Sequence, residues 1–101
     1  MGVSIAMWED IMLDKGKVLN PNFRDYRITA ATNMPKMENY KSFLVSAPHK
    51  DGPYGAKGTG ETQITSTAPA IANAIYDAIG VRIKDLPMTR ENVLKALKEK
   101  A

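Results

Sequence analysis

Residues 52 to 61 read Gly52-Pro53-Tyr54-Gly55-Ala56-Lys57-Gly58-Thr59-Gly60-Glu61, and they hold four of the chain's seven glycines. We call this stretch the glycine-rich loop. Glycine has no Cβ, so it lets a backbone approach a ligand closely, but ordering a glycine costs conformational entropy. The cluster therefore indicates either a loop that faces a ligand or an ordinary surface loop whose Glu61 is solvated. The residue types alone leave both interpretations open.

The loop matches neither of two common phosphate-binding motifs. A P-loop needs Gly-Lys followed by Ser or Thr, whereas Lys57 follows Ala56 and precedes Gly58. A dinucleotide-binding fingerprint that used Gly58 and Gly60 would need a third small residue where Gln63 stands. Nucleotide binding through either motif is therefore not indicated.

The sequence after the loop predicts a helix that ends at Gly80. Ser66 and Thr67 are candidate N-caps, and Pro69 suits the first turn. Apolar residues recur at helical spacing at Ile71, Ala74, Ile75, Ala78 and Ile79. Glu61 would then lie shortly before a helix N-terminus, whose free N–H groups and positive dipole end suit an anionic ligand.

Both ends of the chain predict further helices. The first, residues 1–13, has an apolar face formed by Ile5, Trp8, Ile11 and Met12. The last is capped by Thr89 and is expected to turn Val93, Leu94 and Leu97 inward. We expect Trp8 and the six methionines to fill the core, and Glu9 on the first helix to matter little for activity.

Short extended pieces and turns are predicted between these helices. Val18 and Leu19 form a brief extended piece, and residues 20–25 form a turn. Residues 41–46 predict a short strand with Phe43 and Val45 on one face and Leu44 on the other. The sequence thus predicts one small α+β domain over residues 1–101, with about three helices and a few short strands.

Composition narrows the classes of function. The absence of cysteine excludes disulfides, thiolate metal sites and iron–sulfur clusters on this chain. The net charge is +3, but acidic and basic residues are interspersed, so nucleic-acid binding is not indicated. His49 is expected to be an exposed loop residue without partners for a zinc site. We find no membrane segment or secretion signal and expect a cytoplasmic location.

Several ordered motifs together carry a family resemblance. They are the glycine-rich loop continued by residues 67–80, Trp8-Glu9-Asp10, residues 20–26, residues 85–89 and residues 93–97. These motifs resemble the C-terminal segment of the molybdopterin-binding subunit of the xanthine dehydrogenase and aldehyde oxidase family, the molybdenum hydroxylases. The resemblance covers nearly the whole chain and implies a piece of that subunit's larger molybdopterin-binding domain.

The resemblance also implies roles for individual residues. In that family the glutamate of the Gly-x-Gly-Glu sequence is the catalytic base, which corresponds to Glu61. The backbone of the preceding Lys-Gly-x-Gly segment contacts the pterin, which corresponds to Lys57, Gly58, Thr59 and Gly60. The implied activity is oxidative hydroxylation of aldehydes or N-heterocycles such as purines, with the molybdenum cofactor. The implied partners are the remainder of the molybdenum-binding subunit and flavin and iron–sulfur subunits or domains.

Large subunits of that family are several times longer than 101 residues. The resemblance therefore implies a fragment, a split subunit or a free-standing relic, inactive by itself. We expect the chain alone to bind no molybdopterin, and either to self-associate or to bind a partner. The alternative is a non-catalytic stand-alone domain that keeps the fold and acts as an interaction module.

Overall fold

Three α-helices and one short hairpin make up the main regular structure of residues 1–100, which the computed structural model describes. In chain order they are α1 (Gly2–Met7), β1 (Leu13–Asp14), β2 (Lys17–Val18), α2 (Thr67–Ile79) and α3 (Arg90–Lys100). Single 3-10 turns occur at Ala31–Asn33, Met37–Asn39, Pro53–Gly55 and Glu61–Gln63. The predicted α+β class is confirmed.

The first helix is shorter than the sequence predicts. It ends at Met7, and Trp8 leaves the helix with φ −138°. The buried Asn20 explains the early end, because its side chain holds the backbone of residues 10–12 outside the helix. Its Oδ1 accepts from the Met12 N–H at 3.0 Å, and its Nδ2 donates to the Asp10 carbonyl at 2.6 Å.

The hairpin follows directly from this arrangement. Strands β1 and β2 pair antiparallel, with Leu13 opposite Val18 and Asp14 opposite Lys17. The two turn residues Lys15 and Gly16 have φ +46° and +83°. Positive φ at both central positions is typical of the turn that matches the natural twist of a two-residue hairpin.

Local signals place the two longer helices correctly. Ser66 occupies the N-cap position of α2, and Gly80 ends the helix in the left-handed conformation with φ +65°. Thr89 caps α3, since its Oγ1 accepts from the Asn92 N–H at 3.2 Å. Leu94 corrects one expectation, because its side chain is exposed rather than turned inward.

The core of the described residues is small. Its buried apolar residues are Ala6, Val81, Pro87 and Met88, and the Met88 N–H donates to the Ala6 carbonyl at 2.7 Å. Helix α1 lies close against α2, since a Cβ on Gly2 would come within 2.5 Å of the Thr67 Oγ1. The expectation that Trp8 and the six methionines fill the core holds for Met88 and is wrong for four of the methionines. Trp8 and Met7 are half-buried, and the exposed methionines are Met1, Met12, Met34 and Met37.

The chain exposes far more surface than a self-contained domain of its size. Its accessible area is 8852 Å², whereas a monomeric protein of this mass exposes roughly 5,700 Å². Its radius of gyration is 17.8 Å, against about 13 Å for a compact chain of this length. Every residue from 30 to 51 is exposed. The strand predicted for residues 41–46 is absent from this structure.

Within residues 1–100, no helix is long and apolar enough to cross a membrane. The assignment of residues 1–101 to one domain stays a prediction.

Candidate functional site

The glycine-rich loop leads directly into α2. Glu61 opens the 3-10 turn Glu61–Gln63, and Ser66 at the N-cap of α2 follows shortly after. Residues 57–61 are all exposed. The structure therefore presents the Glu61 carboxylate and the segment before it at the surface of the described chain.

The first half of the loop uses its glycines for its own fold. Gly55 has φ +79°, and a Cβ there would lie 2.6 Å from the Cβ of Pro48. A Cβ on Gly52 would overlap the carbonyl oxygen of Ala56. The His49 N–H donates to the Gly55 carbonyl at 2.9 Å and closes this part of the loop. Gly52 and Gly55 are therefore required by sterics within the chain.

The second half of the loop is different. A Cβ added to Gly58 or to Gly60 would meet nothing within 4 Å in the described chain, and neither glycine has a positive φ. No neighbouring atom of residues 1–100 thus requires glycine at these two positions. A close approach of another molecule or chain segment is a physical reason that remains.

The backbone of the same half-loop offers free donors. Among the described residues, no acceptor receives a hydrogen bond from the N–H groups of Lys57, Gly58, Thr59 or Gly60. Free backbone N–H groups can donate to phosphate and to other anionic or carbonyl-like oxygens. Such donors are of the kind that the polar edge of a phosphate-bearing cofactor requires.

Hydrogen bonds from residues 63–67 fix the segment that follows Glu61. The Gln63 side-chain amide donates to the Thr59 Oγ1, so that it ties the two sides of Glu61 together. The Ile64 N–H donates to the Glu61 carbonyl at 3.0 Å, and the Thr67 N–H donates to the Ile64 carbonyl at 3.0 Å. Sequence reasoning missed the role of Gln63, because it treated that residue only as a mismatch to a nucleotide motif.

Glu9 is a second carboxylate with a defined partner. It lies beyond the end of α1, and its Oε2 accepts from the Tyr26 hydroxyl at 2.6 Å. This hydrogen bond, with a smaller contribution from Ser4, lowers the pKa of Glu9 and is the main cause that raises the pKa of Tyr26. The structure thus joins two of the sequence motifs, one containing Glu9 and the other containing Tyr26, through a bond between distant parts of the chain.

Other candidate features lie apart from Glu61. An apolar groove of about 360 Å³ is lined by Ile11, Val18, Phe23 and Tyr26 among others, and by none of the residues 52–61. His49 is exposed, and its Nδ1 accepts from the Asp51 N–H at 3.2 Å. Within residues 1–100, no group of three or more His, Cys, Asp or Glu side chains could hold a metal ion.

Sequence comparison finds relatives along nearly the whole chain. The aldehyde oxidoreductase molybdenum-binding subunit PaoC of Escherichia coli K12 is 33% identical over 99 residues, which cover 96% of this chain and 13% of that protein. The putative xanthine dehydrogenase molybdenum-binding subunit XdhA of the same strain is 37% identical over 91 residues, covering 88% of this chain and 12% of that protein. The chain therefore spans about an eighth of these relatives' length. No family model matches the chain.

A solved structure has the same fold. Quinoline 2-oxidoreductase from Pseudomonas putida 86 aligns with a TM-score of 0.81 and 24% sequence identity, covering 97% of this chain and 13% of that one. The elongated arrangement of helices, hairpin and loops is thus a fold found inside a larger protein.

Proposed function

Because this chain is homologous to part of the molybdenum-binding subunits of the xanthine dehydrogenase and aldehyde oxidase family, we propose that it supplies the catalytic-base segment of a molybdenum hydroxylase. The reaction is the oxidative hydroxylation of an aldehyde or an N-heterocycle, carried out by the complete enzyme. One observation carries the proposal: the exposed Glu61 directly follows four unpaired backbone N–H groups and two glycines with open space beside them.

Each part of the loop has a separate task in this proposal. The N–H groups of residues 57–60 hold the pterin, and Gly58 and Gly60 allow its close approach. When bound, the molybdenum cofactor supplies the two-electron oxidation of the substrate carbon. A carboxylate oxygen of Glu61 accepts a proton during the reaction and returns it to solvent afterwards, which is general-base catalysis. The Gln63–Thr59 hydrogen bond fixes the loop on both sides of that carboxylate.

The alternative of a stand-alone interaction module is not favoured. The similarity to molybdenum-binding subunits covers 96% of the chain, and the large exposed area is that of a segment packed inside a bigger protein. Flavin and iron–sulfur subunits or domains would accept the electrons in the complete enzyme, since the chain has no cysteine for a cluster of its own.

The test is Glu61→Gln in the complete enzyme that contains this chain. Glutamine keeps the shape of the side chain but cannot accept the proton, so molybdenum content should stay constant while turnover falls by about 10²- to 10⁴-fold. The measurements are steady-state substrate oxidation and metal content of each variant. Retention of more than half the wild-type rate at full metal occupancy would remove Glu61 from the mechanism.

The control must be a carboxylate whose side chain makes no strong hydrogen bond or buried ion pair. Glu9 is unsuitable, because it accepts the short hydrogen bond from Tyr26. Glu99 on α3 is better, since its one ion pair is an exposed contact of 4.0 Å to Lys95, and such contacts contribute little. Glu99→Gln should leave both turnover and molybdenum content unchanged.

A further inference from the structure

Residues 41–47, which we call the unpaired segment, have no backbone partner in the described chain. The chain from residue 40 to 49 contains no helix, turn or bend. Within residues 1–100, the backbone N–H and C=O groups of the unpaired segment make no hydrogen bond to other protein atoms. A straight run of free donors and acceptors is what the edge of a sheet presents to an added strand.

The side chains of this segment are as exposed as its backbone. Phe43 is 84% exposed, Leu44 101% and Val45 87%. Three consecutive large apolar side chains in water are unfavourable, and they lie within a stretch, residues 30–51, that buries none of its residues. The apolar side chains of the segment therefore favour a covering partner, and its backbone groups are free to pair with one.

The pattern of residues favours a strand over any other covered form. Phe43 and Val45 are strand-favouring residues two apart, and they would lie on one face with Ser42, Leu44 and Ser46 on the other. A strand needs a neighbouring strand, and residues 1–100 have only the short β1–β2 hairpin. The residue pattern thus suits a strand, and the described chain offers no neighbouring strand for it to pair with.

We propose that the unpaired segment forms a strand against the edge of a sheet in the remainder of the molybdenum-binding subunit, with Phe43 and Val45 packed into that part's apolar interior. The inference rests on the part of the proposed function that makes this chain a segment of such a subunit, and it is independent of any role of Glu61.

The exposed area favours the remainder of the subunit over a second copy of this chain. The chain exposes roughly 3,000 Å² more than a self-contained monomer of its mass, whereas a standard interface covers about 800 Å² on each partner. One ordinary dimer contact would leave most of the excess uncovered. The relatives contain far more polypeptide than this chain, which covers only 13% of PaoC and 12% of XdhA, and that additional part is large enough to cover the exposed area.

The position of the segment connects assembly with the site. It runs directly into Pro48, which lies close to Gly55 of the glycine-rich loop, since a Cβ added to Gly55 would come within 2.6 Å of the Pro48 Cβ. Pairing of residues 41–47 would therefore fix the start of that loop. The strand would order the approach to Glu61 without contacting the substrate itself.

The experiment is residue-resolved hydrogen exchange on the complete subunit, referenced to an unstructured peptide of residues 39–50. A strand at a sheet edge should slow every second amide of residues 41–47 by at least 100-fold, and protection of all of them would indicate pairing on both sides and also support the proposal. Exchange at the peptide's rate throughout would overturn it. Protection that is lost on dilution, at the same concentration at which a dimer dissociates, would also overturn the proposal, because the partner would then be a second copy of the chain.

Matched variants separate this proposal from the role of Glu61. Phe43→Ser should reduce the protection of residues 41–47 at least tenfold, whereas Ser42→Ala on the opposite face should leave it unchanged. Equal effects of the two variants would refute the assignment of faces. Glu61→Gln should leave the protection of residues 41–47 intact. If the Glu61→Gln enzyme stays active while the segment is protected, only the catalytic role of Glu61 is refuted. If Glu61→Gln inactivates the enzyme while the segment is unprotected, only the strand is refuted.

Discussion

Replacing Asn20 tests the hydrogen bonds that end the first helix and hold the hairpin. Asn20 is 3% exposed, and its amide satisfies two backbone groups, the Met12 N–H at 3.0 Å and the Asp10 carbonyl at 2.6 Å. Asn20→Ala removes both bonds and leaves two partly buried groups unsatisfied. Each such loss costs about 1 to 2 kcal/mol, so the hairpin should become easier to open by about 2 to 4 kcal/mol.

The Leu19 amide reports this opening without being altered by the substitution. Its N–H donates to the Met12 carbonyl at 2.8 Å, a bond that Asn20→Ala leaves in place. A cost of about 2 to 4 kcal/mol corresponds to exchange of that amide about 30 to 900 times faster. The measurement is native-state hydrogen exchange by NMR on variant and wild type in parallel.

Asn22→Ala is the matched control in the same turn. Its Oδ1 also accepts two backbone bonds, from Arg24 at 3.0 Å and Asp25 at 3.3 Å, but all three residues are exposed and water replaces the lost acceptor. It should change exchange at Leu19 less than threefold. If Asn20→Ala accelerates Leu19 no more than Asn22→Ala does, the side chain of Asn20 does not hold the hairpin.

Two further predictions concern the Glu9–Tyr26 bond and the glycine-rich loop. The lowered pKa of Glu9 stabilises the fold at pH values above the group's usual pKa of 4.5, and this stabilisation is lost as the pH falls through the lowered pKa. The raised pKa of Tyr26 stabilises the fold at pH values below the group's usual pKa of 10.0, and this stabilisation is lost as the pH rises through the raised pKa. Glu9→Gln should therefore shift the absorbance titration of Tyr26, identified by difference from Tyr26→Phe, to lower pH, and an unchanged titration would contradict the bond. In the complete enzyme, Gly55→Ala should disturb the loop through its φ of +79° and its contact with Pro48, whereas Gly58→Ala should keep the loop's fold and lower molybdenum content. Equal molybdenum content in Gly58→Ala and wild type would show that no group approaches Gly58 closely.

The sequence predicts the ends of a helix correctly where they depend on residues nearby along the chain. Helix α2 ends where Gly80 adopts a left-handed φ, and α3 begins where Thr89 caps it, as both residue types indicate. The first helix was predicted too long, because its end depends on Asn20, which lies 8 and 10 positions from the groups it binds. Helical periodicity cannot report a contact at that distance along the chain.

The candidate site shows the same division. The glycines and Glu61 could be singled out from the sequence, but their separate uses could not. Gly52 and Gly55 are needed because Ala56 and Pro48 come close to them in space, whereas the space beside Gly58 and Gly60 is open. The four glycines of the loop therefore have two different surroundings, and the sequence alone does not distinguish them.

The division of the loop bears on how the complete enzyme acquires its catalytic geometry. Residues 52–56 hold their shape through contacts within the chain, so that half can form before assembly. Residues 57–60 have free N–H groups and open space beside their glycines, and the only hydrogen bond that holds them among the described residues is the one from Gln63 to Thr59. In the proposed function the cofactor would complete this donor set, and Glu61 would be placed accurately only with the rest of the subunit and the cofactor bound.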